Sequence, residues 1–210
     1  MWANPSVDLT RISGYYSGDG GEFQLTPDQE LTDLVGYSDP WSSFCLEKTE
    51  YVSSGSTYDV ILNTEALLGG TNHGPTGPQG GDALDPMTAY LYTQFRAGAL
   101  TGYDYDPSGQ RGASAGALQE VIWYIEDEGS KTWADGDGSR QDQFYSAALN
   151  CGWTGIGNVR VLNLYAQGHV GEADYFQQDQ LALTVPVPGA ALLGSLGLAT
   201  AGWIRRRRSR

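Results

Sequence analysis

Two residues far apart in the chain supply a thiol and a carboxamide in apolar settings. Cys45 sits between Phe44 and Leu46 in S-F-C-L-E, and Gln119 sits after Leu118 in A-L-Q-E-V-I-W, with Ile122 and Trp123 close behind. A thiol that adds to a carboxamide carbonyl and expels ammonia leaves an internal thioester, a stored electrophile. A lysine amine or a hydroxyl that attacks it becomes acylated by the glutamine and the thiol is returned. The reaction happens once and does not turn over, so the chain is not read as an enzyme and no residue is catalytic in the turnover sense. The bond must be kept dry, which also strengthens any backbone hydrogen bond that polarises the carbonyl under attack. Phe44, Leu46, Leu118, Ile122 and Trp123 are the expected surroundings. Closing a loop of 74 residues stabilises a fold by roughly 3–5 kcal/mol on the chain-entropy estimate.

The same residues have plainer uses. Cys45 also reads as a small buried hydrophobe or as half of a disulfide with Cys151, the second of the two cysteines. Gln119 also reads as an interfacial helix glutamine whose amide is satisfied by backbone. Other chemistries have little support. His73 and His169 are isolated and nothing resembles a zinc-ligand cluster. The stretch A-D-G-D-G-S-R-Q-D is similar to a calcium loop but has Arg140 where the EF-hand needs glycine. No metal or cofactor is expected. Asp104, Asp106, Glu126 and Glu128 supply carboxylates, without a sign that two share a cleft.

The elements that must hold the pair are legible as patterns. G-E-F-Q-L, L-T-D-L-V-G-Y, S-S-F-C-L-E-K-T-E-Y-V and T-Y-D-V-I-L-N alternate apolar and polar residues between turn signals, predicting three or four antiparallel strands. Gly69 to Gly81 reads as a long surface loop. Asp85 followed by Pro86 starts a helix that ends near Gly98. Ser114 is the expected cap of a second helix, in which Leu118, Val121, Ile122 and Ile125 form one buried face and Gln119 and Trp123 an adjoining stripe. A third short helix is expected over Gln141 to Leu149, and strands return in N-V-R-V-L-N-L-Y and D-Q-L-A-L-T-V. The expected fold is α+β: an antiparallel β-rich domain, sandwich or barrel-like, with two to three packed helices.

The 210 residues carry a net charge of −13, and the tail distorts that figure. Five of the 12 basic residues are arginines in the last six positions, which leaves seven against 25 acids upstream. Such an excess repels phosphate backbones and excludes nucleic acid as a partner. Residues 1–184 read as one globular unit and 185–210 as an appendage. In the appendage Val185-Pro186-Val187-Pro188 precedes an uncharged segment from Gly189 to Ile204, which includes Leu192, Leu193, Leu196, Leu198 and Trp203; Arg205, Arg206, Arg207 and Arg208 follow. At 1.5 Å per residue such a segment makes a short membrane-spanning helix, with the arginines held on the cytoplasmic side. No signal peptide is visible before the body, an expectation reconciled with export by a start codon assigned too late.

The tail resembles the PEP-CTERM sorting signal of Gram-negative bacteria, in which a Pro-x-Pro-like motif precedes a membrane helix and an arginine cluster. That resemblance implies an exosortase-type processing enzyme as a partner at Pro186 and Pro188, inner-membrane anchoring in transit, and a final address at the cell surface or extracellular matrix. The body resembles the thioester domains of bacterial surface adhesins. In these an aromatic residue or leucine, Cys and an apolar residue match Phe44, Cys45 and Leu46, and an apolar-Gln-x-x-apolar-Trp segment matches Leu118 to Trp123. The resemblance implies that Cys45 and Gln119 are the thioester partners and that the target is an unknown surface bearing an amine or hydroxyl. Leu118, Glu120 and Val121 depart from the common adhesin form. The alternative function is a non-reactive matrix or surface protein sorted by the same tail.

Overall fold

The computed structural model describes residues 4–17, 20–67, 77–78 and 80–185. His73, most of the Gly69 to Gly81 loop, and the tail from Pro186 onward lie outside the described residues. Among the described residues no helix is long and apolar enough to cross a membrane.

The architecture is α+β. Six strands form one antiparallel sheet: β1 (Ser6–Ser17), β2 (Gly20–Pro27), β3 (Trp41–Ser43), β4 (Ser56–Asn63), β7 (Val159–Ala166) and β8 (Phe176–Leu183), in the order β3-β2-β1-β4-β7-β8. Two short strands, β5 (Glu65–Ala66) and β6 (Asp82–Ala83), pair separately. The large sheet curls until its edges meet. Beyond β3 the chain turns to β8: Cys45 bridges Gln180, Leu46 N–H donates to Asp179 O at 3.1 Å, and Leu181 N–H donates to Phe44 O at 3.1 Å. The Ser43 hydroxyl donates to Leu181 O at 2.8 Å and reinforces this seam.

Strand alternation sorts the apolar residues into two cores. Val7, Leu9, Phe23, Leu25, Trp41, Val60, Leu162, Leu164 and Ala182 pack inside the curl, together with Cys45. Phe44, Leu46, Val161 and Leu181 point the other way and pack against the helices α2 (Pro86–Arg96), α3 (Arg111–Ile125) and α4 (Arg140–Leu149). Burying a large apolar side chain contributes about 1.5–3 kcal/mol, so these two faces make a one-residue register slip near Cys45 costly.

Helix ends follow side-chain chemistry. Asp85 accepts from Met87 N–H at 2.7 Å with Pro86 in the first turn of α2, which ends at Arg96, and Ser139 caps α4 by accepting from Asp142 N–H at 3.2 Å. Three expectations need correction. L-T-D-L-V belongs to a helix, α1 (Gln29–Val35), because Asp28 accepts from Leu31 N–H at 2.7 Å and Gly36 closes the end at φ 89°. β1 lies in a segment without a strand assignment. Helix α3 starts at Arg111, a turn before Ser114, because Arg111 pairs with buried Glu22 and pins that turn; Ser114 Oγ accepts from Asp104 N–H at 3.0 Å instead.

Candidate functional site

The seam brings Cys45 to Gln119. Cys45 is fully buried and Gln119 is 1 % exposed. The Gln119 carbonyl oxygen lies 3.2 Å from Cys45 Sγ and also accepts from the Cys45 backbone N–H at 3.2 Å, while Gln119 Nε2 donates to the Cys45 carbonyl at 2.7 Å. The carboxamide thus pairs with the backbone of the residue whose thiol faces it. The carbonyl carbon is one bond of about 1.23 Å from that oxygen, so a small side-chain adjustment brings sulfur to the near-attack range of about 3–3.5 Å. The Cys45 N–H already points at the oxygen on which negative charge develops, as an oxyanion donor must.

Helix packing explains the orientation. Leu118, Val121 and Ile122 enter the helix-side core, and rotation by one residue carries Gln119 and Trp123 toward the start of β2. That approach requires glycine at position 20. A Cβ there would meet Gln119 Cγ at 2.4 Å and the Trp123 ring at 2.6 Å, too close for any side chain.

Of the residues expected around the pair, Trp123 alone joins the core cluster that holds Cys45. Phe44, Leu46, Leu118 and Ile122 belong to the core cluster on the helix side of the sheet, Phe44 and Leu46 because strand alternation turns them opposite to Cys45. The Trp123 indole N–H is buried without a conventional acceptor, and the Lys48 ammonium lies 5.5 Å over the ring.

The thiol is held neutral. Burial, and then the charge of Glu47, push its pKa well above the ordinary thiol value; its own backbone N–H and the Trp123 side chain pull the other way and are outweighed. A neutral thiol is a poor metal ligand and is inert to outside oxidants. Cys45 and Cys151 are both free. Cys151 follows α4, half-buried, and accepts from Trp153 N–H at 3.3 Å, so the two cysteines serve separate parts of the fold.

Sequence reasoning missed the polar groups beside the thiol. Glu47 and Asp179 are 3 % and 0 % exposed. Asp179 Oδ2 accepts from Leu67 N–H and Asn163 Nδ2, each at 2.9 Å, and Glu47 Oε2 accepts from Asp179 N–H at 2.7 Å. Burial raises both carboxyl pKa values well above the ordinary range, Glu47 further through the neighbouring charge of Asp179. Among the described residues Glu47 Oε1 and Asp179 Oδ1 have no hydrogen-bond partner. Gln180, opposite Cys45 across the seam, is fully buried, and among the described residues neither of its amide atoms has a hydrogen-bond partner. The signal was Q-Q-D-Q inside a strand: consecutive polar residues in a strand cannot all face water.

The other sequence candidates do structural work. Asp104 Oδ2 accepts from Gln110 N–H at 2.6 Å and Asp106 Oδ1 from Ser108 N–H at 2.9 Å, closing the turn before α3. Asp142, the last residue of the calcium-like stretch, accepts from Gly136 N–H at 2.9 Å, and among the described residues no group of His, Cys, Asp or Glu is arranged to hold a metal. Glu126 and Glu128 line a cavity of about 10 Å³ with Glu47 and Asp82. His169 is stacked on Tyr175 at 3.6 Å. No protein-family model, curated protein or solved structure matches this chain.

Proposed function

We propose that the chain is an exported, surface-anchored protein that forms an internal thioester between Cys45 and Gln119 and uses it once, to acylate an amine or hydroxyl on a partner surface. The observation that carries this reading is the three-way contact of thiol, carboxamide and Cys45 backbone. In the forming step sulfur bonds to the Gln119 carbonyl carbon, the carbon–nitrogen bond breaks, and the thiol proton leaves with the nitrogen as ammonia. The Cys45 N–H donates to the oxyanion in between. In the using step the partner's nucleophile bonds to the same carbon, the carbon–sulfur bond breaks, and the nucleophile's proton returns to sulfur. Cover over both residues protects the thioester from water, so partner attack follows a local opening near Gly20 and Trp123.

The sorting part of the reading rests on the sequence of residues 185–210: Pro186 and Pro188 as the motif of an exosortase-type enzyme, a single membrane helix, and a cytoplasmic arginine cluster. A second reading has an observation in its favour as well. The two amide–backbone hydrogen bonds engage both the oxygen and the nitrogen of Gln119, which is what a non-reactive matrix or surface protein with free thiols needs of a buried glutamine.

Intact mass of the full chain separates the two. The thioester protein is one ammonia lighter than its sequence, gains the whole mass of methylamine on Gln119 when treated with it and so ends one methylene heavier than its sequence, and loses the deficit in Cys45→Ala and Gln119→Ala. A chain of full sequence mass that takes up no amine overturns the reactive reading. Membrane fractionation with and without residues 185–210 tests sorting independently.

A further inference from the structure

A second polar site lies along the same two segments. A cavity of about 270 Å³ is lined by Trp41, Ser42, Phe95, Arg96, Tyr105 and Arg111, among others. Its two guanidinium groups are not equivalent. Arg111 is neutralised: its Nε and Nη2 donate to Glu22 Oε1 and Oε2, each at 2.9 Å. Arg96 is half-buried and stands over the Tyr37 and Tyr92 rings, at 5.4 Å and 5.8 Å, and among the described residues only its Nη1 makes hydrogen bonds, to Tyr37 OH at 3.4 Å and Tyr92 OH at 3.2 Å. Among the described residues it has no carboxylate partner. In a chain with 25 acidic residues, a partly desolvated guanidinium without one is costly unless a ligand supplies the charge.

The ligand's chemistry follows from what is left over. The Nε and Nη2 edge of a guanidinium is a planar fork that matches two coplanar oxygens. One unneutralised positive charge balances a carboxylate and leaves a phosphate dianion in excess. The volume is below the roughly 300–1,000 Å³ of drug-sized pockets, so it takes about one ring, and Trp41, Phe95 and Tyr105 offer that ring apolar walls. We propose that this cavity binds a uronate unit of an acidic polysaccharide. Ser42 precedes Cys45 by three residues, and Arg111 precedes Gln119 by eight on one helix, about 12 Å at 1.5 Å per residue. The proposal rests on the thioester reading only where it adds that the bound polysaccharide supplies the hydroxyl to be acylated; the pocket stands without it.

The test is calorimetric titration of the full chain carrying Cys45→Ala, which can form no thioester, with trigalacturonate, neutral galactotriose and inorganic phosphate. Trigalacturonate is expected to bind saturably, at least tenfold more weakly in Arg96→Gln, partly restored in Arg96→Lys, and more weakly in Tyr105→Ala; galactotriose is expected not to bind. Circular dichroism confirms that each variant is folded, with Tyr105→Ala standing in if Arg96→Gln is not. Absence of trigalacturonate binding, binding equal in Arg96→Gln or in the standing-in Tyr105→Ala, or tighter binding of phosphate overturns the assignment. None of these results depends on whether the native chain forms a thioester, which intact mass decides separately.

Discussion

The extension of β3 meets helix α3 at Cys45 and Gln119, and two polar sites of opposite character lie near these segments. At one end Cys45 and Gln119 are neutral, dry and matched hydrogen bond for hydrogen bond. At the other, Arg111 and Arg96 line an open cavity, with the buried carboxylate of Glu22 paired to Arg111 behind it. Desolvating a neutral amide that keeps its hydrogen bonds is cheap, whereas desolvating an ion is tolerable only with a counter-ion in place. The first end is therefore suited to storing a reactive bond and the second to meeting an ionic ligand, and each stands to fail differently when altered.

The charged end is the more fragile. Arg111→Met leaves Glu22, which is fully buried, without its cation and is expected to destabilise the chain by about 3–5 kcal/mol, measured by urea denaturation; the Ser42 and Tyr103 hydroxyls that remain on Glu22 are neutral donors and too weak a substitute. If the loss is under about 1 kcal/mol, the two ends do not differ in kind. At the neutral end, Gly20→Ala is expected to cost about 1–3 kcal/mol by forcing Gln119 and Trp123 off the strand, and to reduce the yield of any ammonia-deficient species. Gln119→Ala strands the Cys45 N–H and carbonyl and is expected to cost about 1–3 kcal/mol. Cys45→Ala leaves both backbone bonds intact and is expected to cost less, so the order of these two variants reports which atoms the amide serves.

The smallest expected effect per step is a pH slope. Burial, helped by the charge of Asp85 and opposed by the hydrogen bond from Asp85 N–H at 3.3 Å, raises Glu126 to about 8, and Glu47 and Asp179 are raised as well. A carboxyl whose pKa is higher folded than unfolded binds its proton more tightly when folded. Its stabilisation is complete below the unfolded value near 4.5 and is lost as pH rises through the folded one. Stability is expected to fall between about pH 5 and pH 8 with a slope of up to about 1.4 kcal/mol per pH unit for each group, and Glu126→Gln is expected to flatten it. A thermal midpoint that rises over that range sinks the assignment.

How much of this was readable beforehand depended on the range of the signal. Asp85-Pro86 marked α2 because a cap and a fixed φ act within one turn, and the thiol and amide stood out because their neighbours were apolar. L-T-D-L-V was misread as a strand although Asp28 and Gly36 bracket a single helical turn pair; the local cap outweighed the alternation. The start of α3 depended on Glu22, 89 residues away from Arg111, which no local pattern reports. The pairing of Glu47 with Asp179 and the cavity beside Arg96 are likewise products of the sheet's closure. Each residue looked like ordinary surface until the seam brought it inside.

That seam also sets a path for mechanical load. Cys45 belongs to the closing stitch of the sheet, while Gln119 belongs to α3, packed across β1 and β2. Under the proposed thioester reading, a cargo acylated by Gln119 pulls on the helix, because the carbon–sulfur bond that tied helix to stitch is spent in the transfer. Tension then enters through the side of α3 and spreads into the broad β1–β2 face, and the stitch between Cys45 and Gln180 is left unloaded, held closed only by its own backbone hydrogen bonds.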